Sequence, residues 1–309
     1  MKRLLALMTV IAMLAMTTSV FAAGSGTSSG DTTPDEDITV QELSDGTTVV
    51  TVDEDAITDD VVELPIEIEA EDTVEAADPI EIIVPDNAGE VAVEIPVTDL
   101  TPGVVAYVLN EDGSYEIIKT TLTSENGIVI TVSGSTTIKV VDNTKEFNDV
   151  DGLADWADEA IDFVTSREIF IGNGDGTFAP EDNMTRGMLF TVLARFDGAD
   201  VTTEGANWYA ESMNWAVAQG LTDGTYPEED ITREQVATLL YRYAGKPAAD
   251  GDLSAYADAD SISTWAVDAV KWAVKEGILN GAGGNILPQE TATRAQVAAF
   301  MQRYCANVA

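Results

Sequence analysis

An all-β half followed by an all-α half is the architecture this sequence predicts, and three observations carry the prediction. Apolar residues alternate at period two between Ile38 and about Lys145. From Phe147 onward they recur at helical spacing. Within that second half one short run occurs three times: Thr185-Arg186-Gly187-Met188, Thr232-Arg233-Glu234-Gln235 and Thr293-Arg294-Ala295-Gln296. A length of 309 residues fits two domains, and an apolar content of 45% can bury a core in each despite a formal net charge of -40.

Ahead of both halves, Lys2 and Arg3 precede the apolar stretch Leu4 to Met16, and small residues follow to Ala22 and Ala23. Residues 1–22 read as a secretory signal peptide; the apolar run is too short for a spanning helix. Residues 23–37, rich in Gly, Ser, Thr and acid, read as a flexible linker.

In residues 38–145, Ile38-Thr39-Val40 and Thr48 to Val52 flank the turn Ser44-Asp45-Gly46. Ile66 to Glu69 and Val91 to Ile95 alternate strictly. Val104 to Leu109 and Tyr115 to Lys119 flank Asn110-Glu111-Asp112-Gly113; Ile128 to Val132 and Thr137 to Val141 complete the set. Eight or nine short strands at this spacing predict a β-sandwich-like domain, with prolines 65, 79, 85, 96 and 102 at strand ends or turns. The acids fall on the outward phase, as on a solvated face; a calcium site or a catalytic carboxylate pair is the functional alternative. No EF-hand run is present, Trp is absent, and Tyr107 and Tyr115 are the only tyrosines in this half, so no aromatic platform for a sugar is expected.

The second half, residues 146–309, holds three helix-turn-helix units at about 147–200, 206–247 and 254–305. The first helix of each is expected to start at Trp156, Trp208 or Trp265, with a second aromatic seven residues on: Phe163, Trp215 or Trp272. The second aromatic suits the core; the leading tryptophan, at a helix start, suits partial exposure. Glycine-rich turns follow at Gly172 to Phe178, Asp223 to Tyr226 and Gly281 to Asn285, then Pro180, Pro227 or Pro288. Thr185, Thr232 and Thr293 are N-cap residues, and Gln235 and Gln296, but not Met188, complete a capping box.

Each second helix carries two arginines nine residues apart. Arg195, Arg242 and Arg303 lie near the helix C-terminus, where a cation is favoured. Arg186, Arg233 and Arg294 lie in the first turn, the unfavourable end. Two readings account for them: unpaired helix N–H groups plus a guanidinium forming an anion site, or a salt bridge to a local carboxylate.

Composition excludes several functions. The acidity argues against nucleic acid and anionic membranes as partners. With no histidine and the single Cys305, there is no Cys–His dyad, cysteine zinc cluster or intrachain disulfide, and Cys305 reads as a small buried hydrophobe. The sequence nominates no catalytic residue, no metal ligand and no cofactor.

The helical units resemble the S-layer homology repeat. The first carries Phe147-Asn148-Asp149-Val150, Trp156-Ala157, Gly176-Thr177-Phe178, Pro180 and Thr185-Arg186 in the family's order. The last carries Tyr256-Ala257-Asp258, Trp265-Ala266, Gly277-Ile278, Pro288 and Thr293-Arg294-Ala295-Gln296; the middle carries Trp208, Gly220-Leu221, Asp223-Gly224-Thr225-Tyr226 and Thr232-Arg233-Glu234-Gln235. The resemblance implies a pseudo-threefold helical bundle of three repeats. Its grooves would bind secondary cell-wall polysaccharide, typically bearing pyruvate ketals, and hold the protein on a Gram-positive-type wall. Its ligand-contacting positions map onto Arg186, Arg233 and Arg294, Trp156, Trp208 and Trp265, Asp149 and Asp258, and Gly172, Gly224 and Gly281. The first repeat departs at Gly187-Met188 and Glu168; the middle one lacks the Phe-x-Asp opening and has a shortened loop. The β region is similar to segments that precede such repeats in other secreted clostridial-type proteins.

The expected function is non-catalytic anchoring of a secreted surface protein, with the β half as spacer or display module and the wall glycan as partner. The alternatives are a wall-attached glycan-acting enzyme with its site in the β half, or a self-associating S-layer lattice subunit.

Overall fold

Among the described residues, eleven short strands build the N-terminal half: β1 (Ile38–Glu42), β2 (Thr48–Val52), β3 (Val62–Glu63), β4 (Ile68–Glu69), β5 (Ile80–Ile83), β6 (Val91–Thr98), β7 (Val104–Leu109), β8 (Tyr115–Ile117), β9 (Leu122–Thr123), β10 (Gly127–Val132) and β11 (Ser135–Asp142). This computed structural model describes residues 37–58, 61–202 and 207–309; the expected signal peptide, and the expected linker up to residue 36, lie outside them. One sheet runs β1-β2-β5-β11-β7-β8 and the other β3-β6-β10-β9, with β4 also pairing β6. Alternation does the work. Val50, Ile82, Val104 and Ile138 of the first sheet share one apolar cluster with Leu64, Val93, Ile95, Ile128 and Ile130 of the second.

Two details differ from the sequence reading. β5 sits between β2 and β11, yet its short run is bracketed by Pro79 and Pro85 and does not stand out as a strand. Pro96 lies inside β6 rather than at its end. There β6 changes partner, from β3 at Val93 and Glu94 to β4 at Val97 and Thr98, so the missing N–H breaks no ladder bond on that side.

Six α-helices follow among the described residues: α1 (Asp155–Ser166), α2 (Arg186–Phe196), α3 (Ala210–Ala218), α4 (Arg233–Tyr243), α5 (Val267–Lys275) and α6 (Arg294–Asn307). Their main packing crosses the unit boundaries: α2 lies on α3, α4 on α5, and α6 returns to cover α1. Phe190, Leu193, Leu240, Trp272, Phe300 and Met301 belong to one buried cluster. Phe163 and Trp272 are buried, whereas Trp215 is half-buried and its Nε1 donates to Asp197 at 3.3 Å. Just ahead of each Thr-Arg helix the three segments join in a ring. Met184 N–H donates to Ala292 C=O (2.9 Å), Ala292 N–H to Ile231 C=O (2.9 Å), and Ile231 N–H to Met184 C=O (2.8 Å). All three residues are buried, so the ring closes away from water.

Residues 37–309 form one unit, and Arg167, just past α1, joins the two halves. Its guanidinium is fully buried over the Phe163 ring at 3.8 Å. Nε donates to Thr121 C=O (2.7 Å) and Nη1 to Pro102 C=O (3.2 Å), both in the β half. Leu122 packs on the helical core, and Asn143 Nδ2 donates to Ser166 C=O. Burial lowers the Arg167 pKa to about 10, which leaves it charged at neutral pH.

Candidate ligand-binding grooves

Each Thr-Arg helix begins against the proline loop of another unit. Arg186 N–H donates to Glu229 C=O and Gly187 N–H to Pro227 C=O; Arg233 and Glu234 do the same to Glu290 and Pro288, and Arg294 and Ala295 to Asp182 and Pro180. At α2 and α6 the next N–H goes to the N-cap hydroxyl: Met188 to Thr185 and Gln296 to Thr293, each 3.3 Å. The first two N–H groups of each helix, expected to attract an anion, are therefore already paired, and at α2 and α6 so is the third.

The side chains of the first arginines reach across as well. Arg294 Nε donates to Phe178 C=O (2.7 Å) and Nη2 to Ile171 C=O (3.2 Å). Arg233 Nε donates to Ile286 C=O (2.9 Å), Nη2 to Asn280 C=O (3.0 Å), and Nη1 to Gln296 Oε1 (3.5 Å). Arg186 Nε donates to Thr225 C=O (3.3 Å) and Nη2 to Thr222 Oγ1 (3.2 Å). Gln235 Oε1 accepts from Thr232 N–H as a capping box requires, whereas Gln296 turns instead to Arg233. The salt-bridge reading fails: among the described residues the two ion pairs, Lys145–Glu168 and Lys275–Asp250, involve no arginine. Burial lowers the pKa of Arg186, Arg233 and Arg294, and in each case an arginine of another unit acts in the same direction: Arg242, Arg303 and Arg195 respectively. The second arginines, which helix-end electrostatics alone explained in the sequence, thus face the first ones. Their fixed nine-residue offset was the signal.

Two cavities result. One, of about 370 Å³, is lined by Arg294, Arg195, Trp208, Gly172 and Asn173, with no carboxylate in its lining. The other, of about 410 Å³, is lined by Arg186, Arg242, Trp265 and Tyr226, together with Asp223 and Glu229. Arg233 and Trp156 line neither; Arg233 is buried with all three nitrogens bonded, while Trp156 is exposed.

The other nominated residues shape the loops. Asp149 accepts from Phe178 and Ala179 N–H (2.8 and 2.7 Å), and Asp258 from Ile286 and Leu287 N–H (2.8 and 2.7 Å). At Asp258 burial acts upward, but these donors prevail and hold its carboxyl below the usual range. Gly172 and Gly281 admit a neighbouring ring: a Cβ would lie 2.4 Å from Phe147 Cε1 or 2.5 Å from Tyr256 Cε1. Gly224 has no such ring and instead takes a left-handed φ of 78° in the shortened loop. Sequence reasoning missed Tyr226, which stands 66% exposed in the second cavity.

Two of the three helical segments match the S-layer homology domain. The matches cover residues 146–187 and 255–298; the middle segment lies outside both. The chain is 29% identical over 51% of its length to an amylopullulanase of Thermoanaerobacterium thermosulfurigenes, and 25% over 54% to a surface-layer 125 kDa protein of Lysinibacillus sphaericus. It is 28% identical over 43% of its length to a cellulosome-anchoring protein of Acetivibrio thermocellus. It spans only 9%, 16% and 34% of those relatives. S-layer homology segments with surface-layer relatives indicate a secreted, cell-surface protein. No described helix is long and apolar enough to cross a membrane.

Proposed function

We propose that the chain is a non-catalytic anchor whose helical half holds a secreted surface protein on the cell wall by binding an acidic secondary cell-wall polysaccharide. The carrying observation is the cavity of Arg294 and Arg195: two guanidiniums and no carboxylate in a chain of net charge -40. Such a pocket focuses positive potential locally and suits a fixed carboxylate such as a pyruvate ketal. Trp208 supplies an apolar wall for the attached sugar. In this reading the middle segment is a third S-layer homology repeat, so the bundle is pseudo-threefold. Arg186, Trp265 and Gly224 then belong to a second groove, and Arg233, Trp156 and Gly281 to a third. Asp149 and Asp258 position the loops that shape the grooves. The β half is the spacer or display module. The cellulosome-anchoring and surface-layer relatives support this reading. The amylopullulanase likeness is compatible with a shared surface module, because the chain spans only 9% of that protein.

Co-sedimentation with purified cell walls tests it. The full chain should pellet with native walls, remain soluble with walls stripped of secondary polysaccharide, and lose at least tenfold in affinity as Arg294→Ala. Equal binding to stripped walls, or an unaffected Arg294→Ala, overturns the proposal. Release of soluble sugar from the walls by the chain would establish the enzyme reading instead.

A further inference from the structure

The groove of Arg186 differs from that of Arg294 through one missing residue. Two turns, Asp175-Gly176-Thr177 and Asp223-Gly224-Thr225, are built alike: the aspartate Oδ1 accepts from the N–H and the hydroxyl of the threonine two residues on. After the first turn come Phe178, Ala179 and Pro180; after the second, Tyr226 and Pro227. The proline ends are fixed alike, since Pro180 C=O accepts from Ala295 N–H and Pro227 C=O from Gly187 N–H. With both ends held, the aromatic cannot keep its place. Phe178 is buried and its C=O receives Arg294 Nε; the matching acceptor for Arg186 Nε is Thr225 C=O. Tyr226 is moved one step on, to the position of Ala179 and Leu287. All three have left-handed φ, at 54°, 58° and 59°.

The consequence is a ring turned from core to groove. Tyr226 is 66% exposed, its hydroxyl has no hydrogen-bond partner among the described residues, and it lines the same cavity as Trp265, 55% exposed. A non-glycine residue held at positive φ with so little burial to compensate is a costly arrangement. The lining differs in charge as well: Asp223 and Glu229 line this cavity with Arg186 and Arg242, whereas no carboxylate lines the other, where Asp182 and Asp149 act on Arg294 from outside the lining. An added carboxylate would meet two negative groups, while sugar hydroxyls would find two acceptors and two aromatic faces.

We propose that the Tyr226 groove is a subsite for an uncharged pyranose, stacked on Tyr226 and hydrogen-bonded through its hydroxyls to Asp223 and Glu229, while the Arg294 groove takes the carboxylate-bearing unit. The idea rests on the glycan-binding reading above and adds a division of labour between grooves.

Saturation-transfer NMR on the full chain tests it with a matched pair of probes, methyl β-glucopyranoside and its 4,6-O-pyruvate ketal. Tyr226→Ala should weaken the neutral probe about three- to tenfold and leave the ketal unchanged; Arg294→Ala should do the reverse. Tyr226→Phe should keep the neutral probe, since the ring and not the hydroxyl carries stacking. Cooperative melting curves with midpoints well above the assay temperature show that each variant is folded; that of Arg294→Ala falls because Phe178 and Ile171 C=O lose their donor. No saturation of the neutral probe with the wild-type chain, or equal saturation with Tyr226→Ala, overturns the subsite. Either outcome leaves the wall-binding result of Arg294→Ala standing, so the two ideas fail separately.

Discussion

Arginine is the residue on which this molecule turns, and its copies do different work at the same sequence position. Arg233 is buried, bonds through all three nitrogens and lies over Phe300 at 5.3 Å. Arg186 is half-buried, and its Nη1 makes no hydrogen bond among the described residues. Arg233→Ala should therefore cost about 2–3 kcal/mol by leaving buried carbonyls unpaired, and Arg186→Ala under about 1 kcal/mol, both read as thermal midpoints. Wall affinity should rank them the other way. Similar losses of stability would mean that Arg186 is as structural as Arg233. None of this asymmetry is legible in the sequence, because the acceptors lie 36 to 123 residues away, in positions whose register depends on the fold. What local sequence does show is the first-turn placement, which signals that something other than the helix stabilises the charge.

At the scale of elements, helix starts are tied to neighbouring units rather than to their own. Glu234, in the first turn of α4, is buried and accepts from Ser263 N–H (3.0 Å), Ser263 Oγ (2.7 Å) and Gln289 Nε2 (2.9 Å). Glu234→Ala should cost about 2 kcal/mol. The corresponding Ala295 is already small, and at Gly187 a Cβ would lie 3.0 Å from Pro227 C=O and 3.1 Å from Tyr209 Cβ. Gly187→Ala, which matches Ala295, should therefore destabilise, as a melting curve will show. The sequence made the helices and most strands readable, because alternation and capping are local. It hid β5, whose four residues between prolines are too few to show a period, and the partner change at Pro96, which only the neighbours β3 and β4 reveal. The packing of α6 on α1 was likewise beyond reach, since a repeat predicts its own hairpin more readily than an exchange with the next one.

For the whole molecule, the buried Arg167 ties the β half to the helical half. Calorimetry should show a single transition, and Arg167→Met, which removes the donors to Thr121 and Pro102 C=O, should split it in two. Alkali should also unfold it. Burial raises Tyr107 and Tyr304 from 10.0 to about 12, raises Tyr243 further, and raises Cys305 from 9.0 to about 12. Folded values above unfolded ones mean stability that is full below about pH 9 and lost as pH climbs through about 12. Circular dichroism should follow that loss, and Tyr243→Phe should shift it upward. The junction at Arg167 also has a mechanical meaning. A cell-surface protein is tugged, and a pull on the β half enters the helices at the end of α1. Because α1 lies on α6, a load that reaches α1 is shared directly with the final helix. Of the two cavities, only that of Arg294 draws an arginine from α6, so a pull on the β half should strain that groove before the groove of Arg186 and Arg242.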